Sequence, residues 1–232
     1  MFLSKKILCL IPARGGSKGI KNKNLKKINN KSLVKIAADF AKSLDFIDKT
    51  IVSSDNTKIL KEAKLAKVDT HKRSKKLSGS YVSDYEIIND IILRFKGFDY
   101  LLYLQPTSPF RKKNSLVSTF DKIIKNKYHG AWTVTCVDKK FHPKKILTLT
   151  NKKYIKTYIN DGKKIIARQQ LEDTYIRNGI FYIFSIKELK KQKTIYLKKT
   201  IFHKINYEHY NIDVMRDLIN SRNLAKKLNI IF

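Results

Sequence analysis

The chain has 232 residues, 42% of them hydrophobic and 11% aromatic, enough to fill a sizeable core and to exclude disorder as the main state. No apolar run approaches the roughly 20 residues that a membrane span requires, and no secretory signal is expected at the start. A formal net charge of +31 invites a nucleic-acid reading, but 42 Lys stand against only 8 Arg and are spread over nearly every segment. Sequence-specific readers of nucleic acid lean on Arg, so solvated surface plus a small anionic partner is the expectation, in a soluble cytoplasmic protein. Cys9 and Cys136 lack metal-ligand or redox spacing and read as buried free thiols.

Hydrophobic runs alternate with amphipathic stretches along the chain. Lys6–Ile11 reads as a buried first strand, followed by a loop to about Asn24. Ser32–Leu44 has helical spacing, Lys49–Ser53 is a short strand, and Asn56 or Asp55 is placed to cap a helix over Lys58–Ala66. Val68–His71 reads as a third strand, Asp84–Phe95 as a helix and Tyr100–Gln105 as an apolar fourth strand. A helix over Asn114–Asn126 and a strand over Ala131–Val137 follow. From Phe141 to about Asp173 short β-prone pieces replace this rhythm, before a strand at Gly179–Ser185 and a closing helix over Val214–Leu228. The pattern predicts one α/β domain over 1–232, with a doubly wound, mostly parallel sheet and a β-rich excursion. In such sheets ligands sit beyond the carboxyl ends of the strands.

The unusual residues fall there. The first strand runs directly into Pro12-Ala13-Arg14-Gly15-Gly16-Ser17-Lys18-Gly19. Glycines able to take φ > 0 bring backbone N–H groups against an oxyanion, and Arg14, Lys18, Lys21 and Lys23 add charge. Neither a Walker A loop nor G-x-G-x-x-G is present, so the site is an oxyanion cradle of another type. Gln105-Pro106-Thr107-Ser108-Pro109 ends the fourth strand abruptly, and Asn211-Ile212-Asp213 reads as a short strand-like run before the last helix. Two residues apart on a strand face the same way, which directs Asn211 and Asp213 to one site.

The string Ile11-Pro12-Ala13-Arg14-Gly15-Gly16-Ser17-Lys18-Gly19-Ile20, followed by Lys23-Asn24-Leu25, resembles the signature of the acylneuraminate cytidylyltransferases. The likeness continues through Ser53-Ser54-Asp55, the Gln105–Arg111 segment, His142-Pro143, Arg168-Gln169-Gln170, Arg177-Asn178-Gly179 and Asn211-Ile212-Asp213, in family order. It implies a Rossmann-like nucleotidyltransferase fold and transfer of CMP from CTP to the anomeric hydroxyl of an acidic 2-keto sugar. It further implies Mg²⁺ as cofactor and a homodimer built through the 141–173 excursion.

By this likeness Arg14 and Lys23 hold the triphosphate, while Ala13, Gly15, Gly16, Ser17, Asn24 and Arg73 shape the nucleotide pocket. Gln105, Lys145, Arg168, Gln169 and Arg177 become acceptor contacts, and Asp213 with Asn211 the metal ligands. Four departures stand out. Asn211 replaces an acid common in the family, Lys21 and Ser74 replace prolines, and Asp84 puts a negative charge beside the expected nucleotide. No general base stands out, and His142 and His203 read as structural.

Overall fold

The computed structural model describes residues 1–151 and 153–232. The elements in chain order are β1 (Ile7–Pro12), β2 (Lys27–Ile28), β3 (Lys31–Ser32), α1 (Leu33–Lys42), β4 (Lys49–Ser54), α2 (Thr57–Leu65), β5 (Asp69–Lys72), α3 (Asp84–Arg94) and β6 (Tyr100–Tyr103). Then come α4 (Lys113–Lys125), β7 (Gly130–Cys136), β8 (Leu147–Thr150), β9 (Tyr154–Thr157), β10 (Tyr175–Ser185), α5 (Ile186–Gln192), β11 (Thr200–Lys204) and α6 (Met215–Lys227).

Seven strands form one sheet in the order β11-β7-β10-β6-β1-β4-β5. β1 pairs in parallel with both β4 and β6, β4 pairs in parallel with β5, and β10 runs antiparallel to β6. The residues of β1 explain its central place. Ile7 to Ile11 are all fully buried, and a strand covered on both faces can afford no polar alternation. From β1 the chain steps outward to β4 and β5 and then returns to β6 on the other side. The order therefore reverses at β1, and the crevice beyond β1 and β6 is the switch point where ligands bind in such sheets.

The helices are fixed at their starts by side chains. Ser32 caps α1 by accepting from the Lys35 N–H, and Asn56 caps α2 by accepting from Lys58 and Ile59. Ser83 and Glu86 form a reciprocal capping box on α3. Each such cap contributes on the order of 1 kcal/mol. Leu8, Leu10, Leu101 and Tyr103 pack with Ile88, Ile91 and Ile92 of α3 and Leu189 of α5. Another apolar cluster joins Leu33 and Ile36 of α1 to Phe110, Ile212, and Leu218 and Leu224 of α6.

The chain divides into two compact units, one of residues 1–133, 179–203 and 207–232, the other of 134–178 with 204–206. The second unit contains the antiparallel β8–β9 hairpin. Within it Val137 donates to the Thr174 carbonyl and Ile205 to that of Val134. Gly162 lies so close to the Lys144 carbonyl that a Cβ would collide with it.

Four elements differ from the sequence reading. The hairpin of β2 and β3, the seven-residue α5 and the edge strand β11 were not anticipated. Asn211–Asp213 is irregular rather than extended, because Ile212 is fully buried and its N–H is bound by the Thr107 carbonyl at 2.8 Å. Of the two thiols, Cys9 is buried but Cys136 is partly exposed; both are free. Burial raises the Cys9 thiol to about 12, so it stays protonated.

Candidate active site

A cavity of about 600 Å³ opens beyond the carboxyl ends of β1 and β6, lined wholly by the first unit. Arg14, Ser17, Lys23, Asn24, Arg73, Asp84, Gln105, Asn211 and Asp213 all line it. Residues nearly 200 positions apart meet there. Lys23 Nζ stands 2.7 Å from Asp213 Oδ1, with Lys23 15% exposed and Asp213 69%. An Asn24 amide donates to the Arg14 carbonyl at 2.9 Å, fixing the loop from inside, and Arg14 Nη1 reaches the Gly79 carbonyl at 3.3 Å.

The glycines of the first loop act differently from the sequence expectation. Neither Gly15, Gly16 nor Gly19 has positive φ. Gly15 directs its N–H to Asp55 Oδ1 at 2.8 Å rather than toward the cavity, and a Cβ on it would stand 2.8 Å from that of Asn56. A Cβ on Gly19 would strike the Asp213 carbonyl oxygen. The glycines thus permit close backbone approach: Gly15 seats the loop on the Asp55–Asn56 turn that leads into α2, and Gly19 seats it on the segment carrying Asp213. Ala13, Gly15 and Gly16 lie off the cavity wall. Ala13 is fully buried, with its N–H on the Ser53 carbonyl at 2.9 Å.

At the other end the charges are drawn inward. Arg73 is 3% exposed, donates from Nη2 to the Ser53 carbonyl at 3.1 Å, and leaves Nε without a partner among the described residues. Burial depresses its guanidinium pKa, opposed by the nearby Tyr103 and by Asp55 and Asp84. The Tyr103 hydroxyl donates to Asp84 Oδ1 at 2.6 Å. Burial, then the Asp84 charge, hold the phenol far above its ordinary value, so it remains a donor. Leu77, Val82 and Ile87 give this end apolar walls.

Gln105 is positioned by contacts on two sides. Gly179, at φ 73°, lies where a Cβ would collide with Gln105 Oε1. Arg111 donates to the Gln105 carbonyl at 2.5 Å and to the Ile180 carbonyl at 2.9 Å.

A family model described as cytidylyltransferase matches residues 8–231. The chain belongs to the cytidylyltransferase family. This cytidylyltransferase-family chain is 27% identical to the post-translational flagellin modification protein B of Campylobacter coli, over 95% of its own length and 98% of the relative's. It is 28% identical to the pseudaminic acid cytidylyltransferase of Campylobacter jejuni, over 95% and 97%. With the N-acylneuraminate cytidylyltransferase of Streptococcus agalactiae it shares 25% identity over 90% of its length, and it spans about half (50%) of that protein. Its fold resembles that of a CMP:2-keto-3-deoxy-manno-octonic acid synthetase, with TM-score 0.71 at 12% identity, covering 96% of this chain and 99% of the other.

In this nucleotidyltransferase the sequence likeness had singled out four further residues, Lys145, Arg168, Gln169 and Arg177, which belong to the second unit. There Arg168 lies 3.6 Å from Asp138. Neither expected structural histidine is poised as a base. His142 accepts from the Lys144 N–H, and the His203 ring meets Thr119 while burial lowers its pKa. Lys18 and Thr107, both within motifs read from the sequence, line the cavity as well, and so does Tyr103, which the sequence reading did not single out. Tyr103 ends β6, and the rule placing ligands beyond strand ends was the signal for it.

Proposed function

We propose that the cavity binds CTP and transfers its CMP moiety to the anomeric hydroxyl of an acylneuraminate-type 2-keto acid sugar, releasing pyrophosphate. The observation that supports this most is the convergence of Arg14, Lys23 and Asp213 on the cavity that also holds Arg73 and Gln105. In such a reaction the acceptor oxygen bonds to the α-phosphorus as the bond to the leaving pyrophosphate breaks. Charge accumulates on phosphate oxygens, so positioned cations carry most of the catalysis. Arg14 and Lys23 serve that need. Lys23 pairs with Asp213 at 2.7 Å, which holds its ammonium on the cavity wall. Gln105, able to donate and accept, suits the acceptor's hydroxyls.

The donor set at Asp213 fits a hard divalent cation. Asn211 Oδ1 is buried without a hydrogen-bond partner among the described residues, next to an exposed carboxylate on the same wall. Among the described residues no three His, Cys, Asp or Glu side chains form a protein-only metal cage, so the remaining ligands would be phosphate oxygens. Mg²⁺ held by Asp213 and Asn211 would neutralise the leaving pyrophosphate.

What supports acceptor roles for Lys145, Arg168, Gln169 and Arg177 is the motif likeness together with their charge or amide groups. The exposed Leu147, Leu149, Tyr154 and Ile155 of the β8–β9 hairpin support a homodimer formed through that unit. No helix among the described residues is long and apolar enough to cross a membrane, which accords with work on soluble substrates in the cytoplasm. The decisive assay measures pyrophosphate release with CTP and Mg²⁺, offering sialic, legionaminic and pseudaminic acids in parallel. Turnover with one of them is expected; no release with any 2-keto acid sugar would overturn the reading.

A further inference from the structure

The cavity holds one carboxylate that the reaction chemistry does not use. Asp84 opens α3, where the helix N-terminus favours a negative charge. Its Oδ1 accepts from Tyr103, and no other hydrogen bond engages it among the described residues, so Oδ2 is left to accept one more. This group cannot serve the anionic parts of the substrates. A triphosphate or a sugar carboxylate beside it would meet like charge, and both have cations elsewhere.

Resting on the CTP reading above, we propose that Asp84 recognises the exocyclic amine of cytosine and so selects CTP over UTP. Three observations meet at this point. Lys23 and Asp213, paired at 2.7 Å, offer the phosphates a cation and a metal ligand, and neither is bonded to Asp84 among the described residues, which leaves Asp84 for the base. Leu77, Val82, Ile87 and the Tyr103 ring give it the apolar walls that a flat heterocycle needs. Polar groups of both senses stand between those walls: the Asp84 carboxylate accepts and the Arg73 guanidinium donates.

Cytosine presents a donor at N4 beside acceptors at N3 and O2, which complements such a pair. Uracil presents an acceptor at O4 and a donor at N3, so its O4 would face the carboxylate oxygen with no proton between them. Carboxylates accept from cytosine N4 in nucleic-acid recognition for the same reason. Discrimination comes as much from this repulsion as from the attraction. Tyr103 is the positioning residue. Its hydroxyl, kept protonated by burial, holds one carboxylate oxygen and fixes the direction of the other. Tyr182, stacked at 6.3 Å and 9° on Tyr103, restrains the ring in turn.

The test compares CTP with UTP in the full-length protein, both by turnover and by equilibrium binding of each nucleotide. In Asp84→Asn the repulsion is gone and the amide can rotate to donate to O4. The expected result is a fall in kcat/KM for CTP together with a rise for UTP, closing the preference by about ten- to a hundredfold. Tyr103→Phe should narrow the preference less, through KM rather than kcat. An equal loss with both nucleotides in Asp84→Asn would overturn the proposal, because a purely structural role cannot improve UTP. Equal binding of CTP and UTP by the unaltered protein would also overturn it. Absence of turnover with any acceptor would strike the transferase reading alone, since the binding preference and its reversal would still be measured.

Discussion

At one end of the cavity Asp213 stands on a loop and is more than two-thirds exposed, beside the largely buried Lys23. At the other, Arg73 and Tyr103 are sunk in the core, with Asp84 half-buried between them. On the proposed reading the open end would handle groups whose charge changes during the reaction, where water screens them, and the closed end a neutral ring, whose hydrogen-bond partners are set in advance. Removing a guanidinium from water costs several kcal/mol, which is offset only if its partners are fixed.

If that division holds, the most damaging change lies at the open end. Asp213→Ala is expected to cut turnover by about two to three orders of magnitude, and Asn211→Ala by about tenfold, measured as pyrophosphate release over a Mg²⁺ titration. Comparable losses would mean that the ligand is wrongly assigned. Arg14→Ala should cost about a hundredfold in kcat/KM for CTP, with a smaller change in the midpoint of thermal unfolding. An effect confined to unfolding would move Arg14 from the chemistry to the fold.

Gly19→Ala sharpens the comparison, since its Cβ would push on the Asp213 carbonyl. We expect a destabilisation of about 1–3 kcal/mol by denaturant titration, with a raised Mg²⁺ requirement. Unchanged Mg²⁺ dependence would show that the two loops move independently.

The smallest effect is on pH. Burial lowers the pKa of His71, against the opposing pull of Asp90, and that of His203 as well. The unfolded chain then binds more protons, so their contribution is complete above about pH 6.5 and declines as the pH falls through the folded-state values. The melting temperature should drop by roughly a few degrees toward pH 5, and His71→Gln should flatten that slope. A steeper slope in the variant would reverse the sign.

Much of the open end was legible in the sequence, because unusual residue types follow directly on apolar strands there. Arg14, Lys23, Gln105 and Asp213 all sit just past strands or at helix entrances, and the structure gathers them around one cavity. The closed end was harder to read. Tyr103 is one apolar-looking residue in the strand Tyr100–Tyr103, and only the side chain of Asp84, 19 positions earlier, gives its hydroxyl a purpose. The glycine roles were hidden for a similar reason: permission for close approach depends on what approaches, Asn56 and Asp213 here, and local spacing does not name it. The helix Ile186–Gln192 escaped notice because it is short and rich in Lys. The edge strand Thr200–Lys204 escaped because His and Lys interrupt its apolar run.

The ion pair between Lys23 and Asp213 joins positions 190 residues apart. During synthesis the loop bearing Lys23 emerges long before its counterpart exists. Closing so long a span costs little more entropy than closing a moderate one, so the delay is one of timing rather than of stability. Until Asp213 is made, Lys23 lacks the carboxylate it pairs with in the folded protein.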